Sequence, residues 1–251
     1  MRPDSSVCIM GKIRDPQLPA ILLIHGAGGQ ADSFMPLIDA LEDQANIASL
    51  NMPGAGRAYG PVLEDIKEQA AYVAGFIAAS GEKPWLAGHS MGSAIALQVA
   101  KDWPDSLAGL ILFNPASNMP LSDKFMDRVA NDVPGTMSAF LRKAYGPSAP
   151  VDWMESSIAI VCNMPPATVI GDFKACRSYD SNPYLPDIKL PVLIITGEED
   201  GVNRPEESHK IADALGNKGK VVLLPKTGHM TPMQSPQEVA REIGSFIGLI
   251  L

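Results

Sequence analysis

A serine held between two glycines, in Gly88-His89-Ser90-Met91-Gly92, constrains this chain more than any other stretch. Before it, Lys83-Pro84-Trp85-Leu86-Ala87 reads as a short buried strand; after it, residues 93–101 (SAIALQVAK) read as a helix. A strand must therefore stop and a helix start within about one residue, which pushes the serine into a tight turn with strained, positive φ. Side chains at the two flanking positions would collide with the neighbouring strand and helix, and glycine removes that collision. A glycine-flanked serine in an ordinary loop needs neither element. The pattern predicts a strand–turn–helix elbow presenting Ser90 at the end of a sheet strand.

The chain around the elbow alternates strand and helix. Ala20-Ile21-Leu22-Leu23-Ile24 is a continuous apolar run, as expected of a strand covered on both faces. It ends in the small-residue turn His25-Gly26-Ala27-Gly28-Gly29, before a helix over 33–42 with Asp32 as its expected N-cap. Further strands are read over 46–51, 107–113, 192–196 and 220–224, with a short edge strand around 7–13. Helices are read over 63–79 and 205–215, and a last one opens at Ser235-Pro236-Gln237-Glu238 with a capping box. Such alternation implies an α/β fold: a mostly parallel, doubly wound sheet with helices on both faces.

Between about 117 and 185 the rhythm changes. No convincing strand occurs there, and helical pieces (121–131, 136–144, 152–161, 166–178) are punctuated by prolines at 120, 134, 147, 150, 165 and 166. We read residues 1–116 and 186–251 as the core domain and 117–185 as a helical cap inserted over the sheet's C-terminal edge.

Composition bounds the partners. The chain has 251 residues, 46% of them hydrophobic, enough for one large α/β domain. A net charge of -8 argues against nucleic acid or an anionic membrane as a partner, because phosphate binding needs clustered Lys and Arg. Cys8, Cys162 and Cys176 are an odd, sparse set without metal-ligand spacing and read as reduced thiols. The start, Met1-Arg2-Pro3-Asp4-Ser5-Ser6, lacks the apolar run of a signal peptide, and no stretch approaches the roughly 20 apolar residues that span a bilayer. The expected location is the cytoplasm.

A serine hydroxyl is a poor nucleophile at neutral pH and needs a base within hydrogen-bond reach. Of four histidines, His89 adjoins the serine and is expected to point away from its reactive side. His25 ends a strand and braces its loop, and His209 sits within a predicted helix beside Lys210, on a solvated face. His229, in Gly228-His229-Met230-Thr231-Pro232 after the last strand, is the expected general base. Its carboxylate partner is sought in Gly197-Glu198-Glu199-Asp200-Gly201, where Asp200 is the first candidate and Glu199 the competitor. The position after strand 107–113 holds Asn114 and Pro115 and offers no carboxylate. An oxyanion needs two donors. The Met91 N–H at the helix start is one, and Ala27 in the small-residue loop is the other.

These motifs together resemble the α/β-hydrolase superfamily, in the branch with a short helical cap that includes carboxylesterases, enol-lactone hydrolases and C–C bond hydrolases. The matching residues are His25-Gly26-Ala27-Gly28-Gly29, Pro53-Gly54-Ala55-Gly56-Arg57, Gly88-His89-Ser90-Met91-Gly92, Gly197-Glu198-Glu199-Asp200 and Gly228-His229 through Pro236, in the family's order of nucleophile, acid, base. Two departures stand out: Gln234 where the family often has an acid, and Asn51 where it often has Asp. A serine nucleophile argues against the dehalogenase and epoxide hydrolase branches.

The resemblance implies a hydrolase that cleaves a carboxylic ester or lactone through an acyl-enzyme, without metal or organic cofactor. The expected catalytic residues are Ser90, Asp200 and His229, with Ala27 and Met91 forming the oxyanion hole. Gly26, Met119, Phe125, Phe140, Trp153 and Met230 are the expected substrate-binding residues, and the substrate is expected to be a small molecule with an apolar group. Two other readings stay open: a C–C bond hydrolase of diketone acids, for which Arg142 and Arg177 are the cap arginines to consider as a clamp, and a slow-turnover ligand sensor on the same fold.

Overall fold

The computed structural model describes residues 9–12, 15 and 17–248. Seven strands, β1 (Ile9–Lys12), β2 (Ala20–Ile24), β3 (Asn46–Leu50), β4 (Trp85–His89), β5 (Gly109–Phe113), β6 (Val192–Gly197) and β7 (Gly219–Leu224), form one sheet in the order β1-β3-β2-β4-β5-β6-β7. β1 runs antiparallel to β3, and every other pairing is parallel. The expected edge strand is present as β1, while Val7, Cys8 and Ile13 lie outside the described residues.

Helices cover both faces because the strands are apolar on both. Leu22, Leu86, Leu110 and Ile194 pack against α2 (Ile66–Ser80), α3 (Met91–Asp102) and α8 (Pro205–Leu215). Ile21, Leu23, Ile111 and Leu193, alternating with them, pack against α1 (Met35–Leu41) and α10 (Pro236–Ile247). Four helices lie between β5 and β6: α4 (Asp123–Asn131), α5 (Val133–Tyr145), α6 (Val151–Cys162) and α7 (Pro166–Ser178). They share an apolar cluster of their own, including Val129, Met137, Leu141, Val161, Val169 and Phe173, which also takes in Ala55 of the core.

Two helix starts differ from the expectation. Asp32 lies inside a 3-10 turn over Ala31–Phe34 that precedes α1, so it does not cap that helix. Ser235 stands at the N-cap of α10 but makes no capping bond; its hydroxyl pairs with that of Thr227 at 2.8 Å. A short helix, α9 (Thr231–Gln234), precedes it. Among the described residues no helix is long and apolar enough to cross a membrane.

Parallel strands that share a direction bring their C-terminal ends to one edge. His25, Ser90, Asn114, Glu198 and the loop carrying His229 all follow such ends.

Candidate active site

β4 stops at His89 and α3 starts at Met91, leaving Ser90 alone between them with φ 53 and ψ -112. The crowding that requires the flanking glycines is explicit. A Cβ on Gly88 would lie 2.1 Å from the Gly92 carbonyl oxygen, and one on Gly92 would lie 2.1 Å from that of Ile24. The Ser90 N–H donates to the Phe113 carbonyl at 3.0 Å, tying the turn to β5. Strain at this one residue is held by the sheet around it.

Asp200 and His229 arrive from the loops after β6 and β7. His229 Nδ1 donates to Asp200 Oδ2 at 2.8 Å, and both side chains are almost completely buried. The carboxylate is satisfied on every side: Oδ2 also accepts from Asn114 Nδ2 at 2.8 Å, and Oδ1 accepts the N–H groups of Val202 and Asn203 at 2.8 and 2.9 Å. Burial alone would raise its pKa. The facing His229 and the bonds from His229, Asn114 and Val202 outweigh that and bring it below the usual carboxylate value. Asp200 is therefore an anion at neutral pH, able to hold His229 in the Nδ1–H tautomer. Glu199 is turned elsewhere, accepting from the Ser148 N–H and hydroxyl at 3.1 and 2.6 Å.

With Nδ1 engaged, His229 Nε2 is the nitrogen left for proton transfer. It is buried and has no hydrogen-bond partner, and it shares one cavity with Ser90. The bond between Ser90 and His229 is not made in this conformation, as is common in unliganded sites.

Three supporting residues are less visible in the sequence. Asn114, at φ 51 directly after β5, where the chain offers no carboxylate, donates to Asp200. Its carbonyl accepts from Asn203 Nδ2 at 2.8 Å. Gln234 uses both ends of its amide, accepting the Gly228 N–H at 3.1 Å and donating to the Tyr145 carbonyl at 3.0 Å. The His229 N–H itself donates to the carbonyl of Ala144, in the last turn of α5, at 2.6 Å. The only signal in the sequence was Gln234 standing where the resembling family often has an acid.

The other buried histidines are structural braces. His89 does not point away as expected: Nε2 donates to the His229 carbonyl at 2.8 Å, and the two rings lie 5.0 Å apart. His25 Nδ1 donates to the Gly26 carbonyl at 2.9 Å, and Nε2 accepts the Met52 N–H at 3.0 Å. Burial lowers the pKa of His25 to about 4. Burial, with the nearby His229 charge, lowers that of His89 to about 3. His209 is exposed on α8.

Residues 26–29 form a turn closed by the Gly29 N–H to the Gly26 carbonyl at 3.0 Å, with φ +67 at Gly28. Positive φ at the third residue alone makes it a type II turn, with Ala27 second. Met91 opens α3, whose first N–H groups have no acceptor inside the helix. Ala27 and Ser90 line the same cavity.

That cavity is about 360 Å³. Of the expected substrate contacts, Gly26, Met119, Phe140 and Met230 line it, joined by Leu121, Leu141, Phe173 and Cys176. Two expectations are corrected. Phe125 stands behind the wall, its ring 6.3 Å from Phe140 and 5.1 Å from Phe173, because the three aromatics pack together. Trp153 is 45% exposed, on the outer face of α6. No lysine or arginine among the described residues lines the cavity. Arg142 is paired with Glu155 and Arg177 with Asp123 at the surface, so neither serves as an acid clamp. Among the described residues no three His, Cys, Asp or Glu side chains converge as a metal site would require.

Comparison with known proteins adds to this geometry. Residues 21–242 match the model of the "Alpha/beta hydrolase family". Among curated proteins, the chain is similar to a pimeloyl-[acyl-carrier protein] methyl ester esterase of Edwardsiella ictaluri (24% identical, covering 90% of this chain and 92% of that one). It is also similar to a putative carbamate hydrolase RutD of Agrobacterium fabrum (26% identical, covering 88% and 90%). Among solved structures it resembles a thermophilic esterase from Thermogutta terrifontis (TM-score 0.85, 24% identity, covering 96% and 92%). An enol-lactonase from Burkholderia xenovorans LB400 is equally similar in fold (TM-score 0.86, 17% identity, 96% of each chain).

Proposed function

Because this chain belongs to the alpha/beta hydrolase family, we propose that it is a serine hydrolase that cleaves a carboxylic ester or lactone through an acyl-enzyme. One observation carries this reading: His229 is fixed by Asp200 at 2.8 Å, with its free, buried Nε2 in the cavity that Ser90 enters from a strained turn. Relatives named as esterases and an enol-lactonase support an ester or lactone, and one named a putative carbamate hydrolase supports attack at a carbonyl more generally.

Ser90 Oγ attacks the substrate carbonyl carbon while His229 Nε2 takes its proton. Asp200 stabilises the imidazolium that forms. The negative charge on the carbonyl oxygen is held by the N–H groups of Ala27 and Met91. His229 then gives its proton to the leaving alkoxide, and the C–O bond breaks, leaving Ser90 acylated. Water repeats the attack with His229 as base, releasing the acid and restoring Ser90.

The helices between β5 and β6 serve as a cap, and Met119, Leu121, Phe140 and Phe173 accept an apolar acyl or alcohol group. The wall without lysine or arginine favours a neutral substrate over the diketone acids of C–C bond hydrolases. The test is turnover of short- and medium-chain p-nitrophenyl esters by wild type, Ser90→Ala and His229→Ala. We expect burst kinetics in wild type and a loss on the order of 10⁴-fold or more in either variant. Substantial turnover by Ser90→Ala would overturn the assignment.

A further inference from the structure

Asp172 is a carboxylic acid buried on α7, and its Oδ2 accepts the N–H of Gly28 at 2.9 Å. That N–H belongs to the central peptide of the turn over 26–29, the peptide whose flip converts type II into type I. The adjoining peptide carries the Ala27 N–H. Holding the Gly28 N–H fixes ψ of Ala27 and φ of Gly28, and so ties to α7 the Ala27 Cα that both peptides share.

The site is built for this contact. Gly28 stands at φ +67, and a Cβ there would lie 2.7 Å from Val161 Cγ2, so α6 and α7 close directly on its backbone. Burial pushes the Asp172 carboxyl up to about 7, with the Gly28 bond opposing that rise. A group held at such a cost against a loop amide is not space-filling. One turn earlier on the same face of α7, Thr168 Oγ1 donates to the Gly54 carbonyl at 2.9 Å, a second tie to a different core loop.

We propose that Asp172 is a positioning residue that sets the oxyanion loop, so that the seating of α7 and the competence of the Ala27 donor are one event. This rests on the reading of Ala27 as an oxyanion donor. The helical insertion thereby does more than cover the cavity: it completes the electrophilic half of the site.

The test compares Asp172→Ala, Asp172→Asn and Thr168→Val in the full chain. Its readouts are kcat and KM on p-nitrophenyl butyrate, the second-order rate of Ser90 labelling by a fluorophosphonate, and affinity for an alkyl trifluoromethyl ketone. Removing an oxyanion donor outright costs about 10²–10³-fold; misplacing one should cost about 10–100-fold. We expect Asp172→Ala to lose that much in kcat and labelling rate, with KM within about 3-fold and ketone affinity falling in step. Asp172→Asn, whose amide oxygen can still accept the N–H, should recover to within about 3-fold of wild type. Thr168→Val should stay near wild type.

Unchanged kcat in Asp172→Ala, equal losses in all three variants, or a change confined to KM would overturn the proposal. Should Asp172→Ala prove unfolded, Asp172→Asn decides, since a loss there as large as that of Ser90→Ala contradicts an acceptor role. The parent reading fails separately. If wild type is unlabelled or Ser90→Ala keeps its turnover, the serine assignment is wrong; if those controls behave and Asp172 is silent, only this inference falls.

Discussion

At the scale of single residues, the site depends on side chains that satisfy two partners at once. Gln234 is the clearest case: an amide can accept from Gly228 and donate to Tyr145, whereas an ionised carboxylate can only accept. Gln234→Glu should therefore set a carboxylate against the Tyr145 carbonyl and loosen the loop holding His229. We expect a loss of about 1–3 kcal/mol in urea unfolding at neutral pH. The deficit should shrink as pH falls toward about 4.3, because a glutamate set against a carbonyl protonates above its ordinary value and then regains a donor. An unaltered midpoint would show that the clamp is unimportant. Ser90, Asp200 and His229 can be proposed together from the sequence because each follows a strand in a motif of its own. Asn114 and Asp172 sit in no such motif, and their partners, 86 and 144 residues away, are chosen by the folded sheet. Such pairings emerge only once the sheet has formed.

At the scale of elements, apolar runs and helical spacing located β2 to β7 and α2 to α8 because burial dictates both signals. The boundaries that shifted were those decided by hydrogen bonds. Asp32 was absorbed into a 3-10 turn, and Ser235 turned its hydroxyl to Thr227 rather than capping α10. The face of an isolated amphipathic helix also carries no label for its partner. Trp153 and Phe125 share the composition of the cavity wall, yet one faces out and the other packs behind it. The helices between β5 and β6 hold the two loops of the site from opposite sides. The end of α5 accepts the His229 N–H, and α7 accepts that of Gly28. Deleting contacts at either end should thus affect rate more than substrate affinity.

At the scale of the molecule, three buried groups link folding to pH. His25 and His89 are held neutral, at about 4 and about 3 against 6.5 unperturbed, and Asp172 is held up at about 7 against 3.8. Between about pH 4 and 6.5, unfolding lets both imidazoles take up a proton and lets Asp172 release one. The unfolded chain then binds one more proton than the folded chain, so stability rises with pH. The slope should be about 1.4 kcal/mol per pH unit across that window, with the maximum between about 6.5 and 7. Asp172→Asn removes the opposing group and should roughly double the slope. Urea midpoints measured from pH 4.5 to 7.5 check both, and a flat profile in wild type would contradict the burial of these groups.

In the proposed reaction one serine, set on the elbow and served by His229, becomes covalently acylated. Stoichiometric reaction with a fluorophosphonate, followed by peptide mass spectrometry, measures it most directly. We expect a single adduct on Ser90 that is absent in Ser90→Ala and slowed by at least about 10³-fold in His229→Ala. An adduct on any other residue, or undiminished labelling of Ser90→Ala, would contradict it.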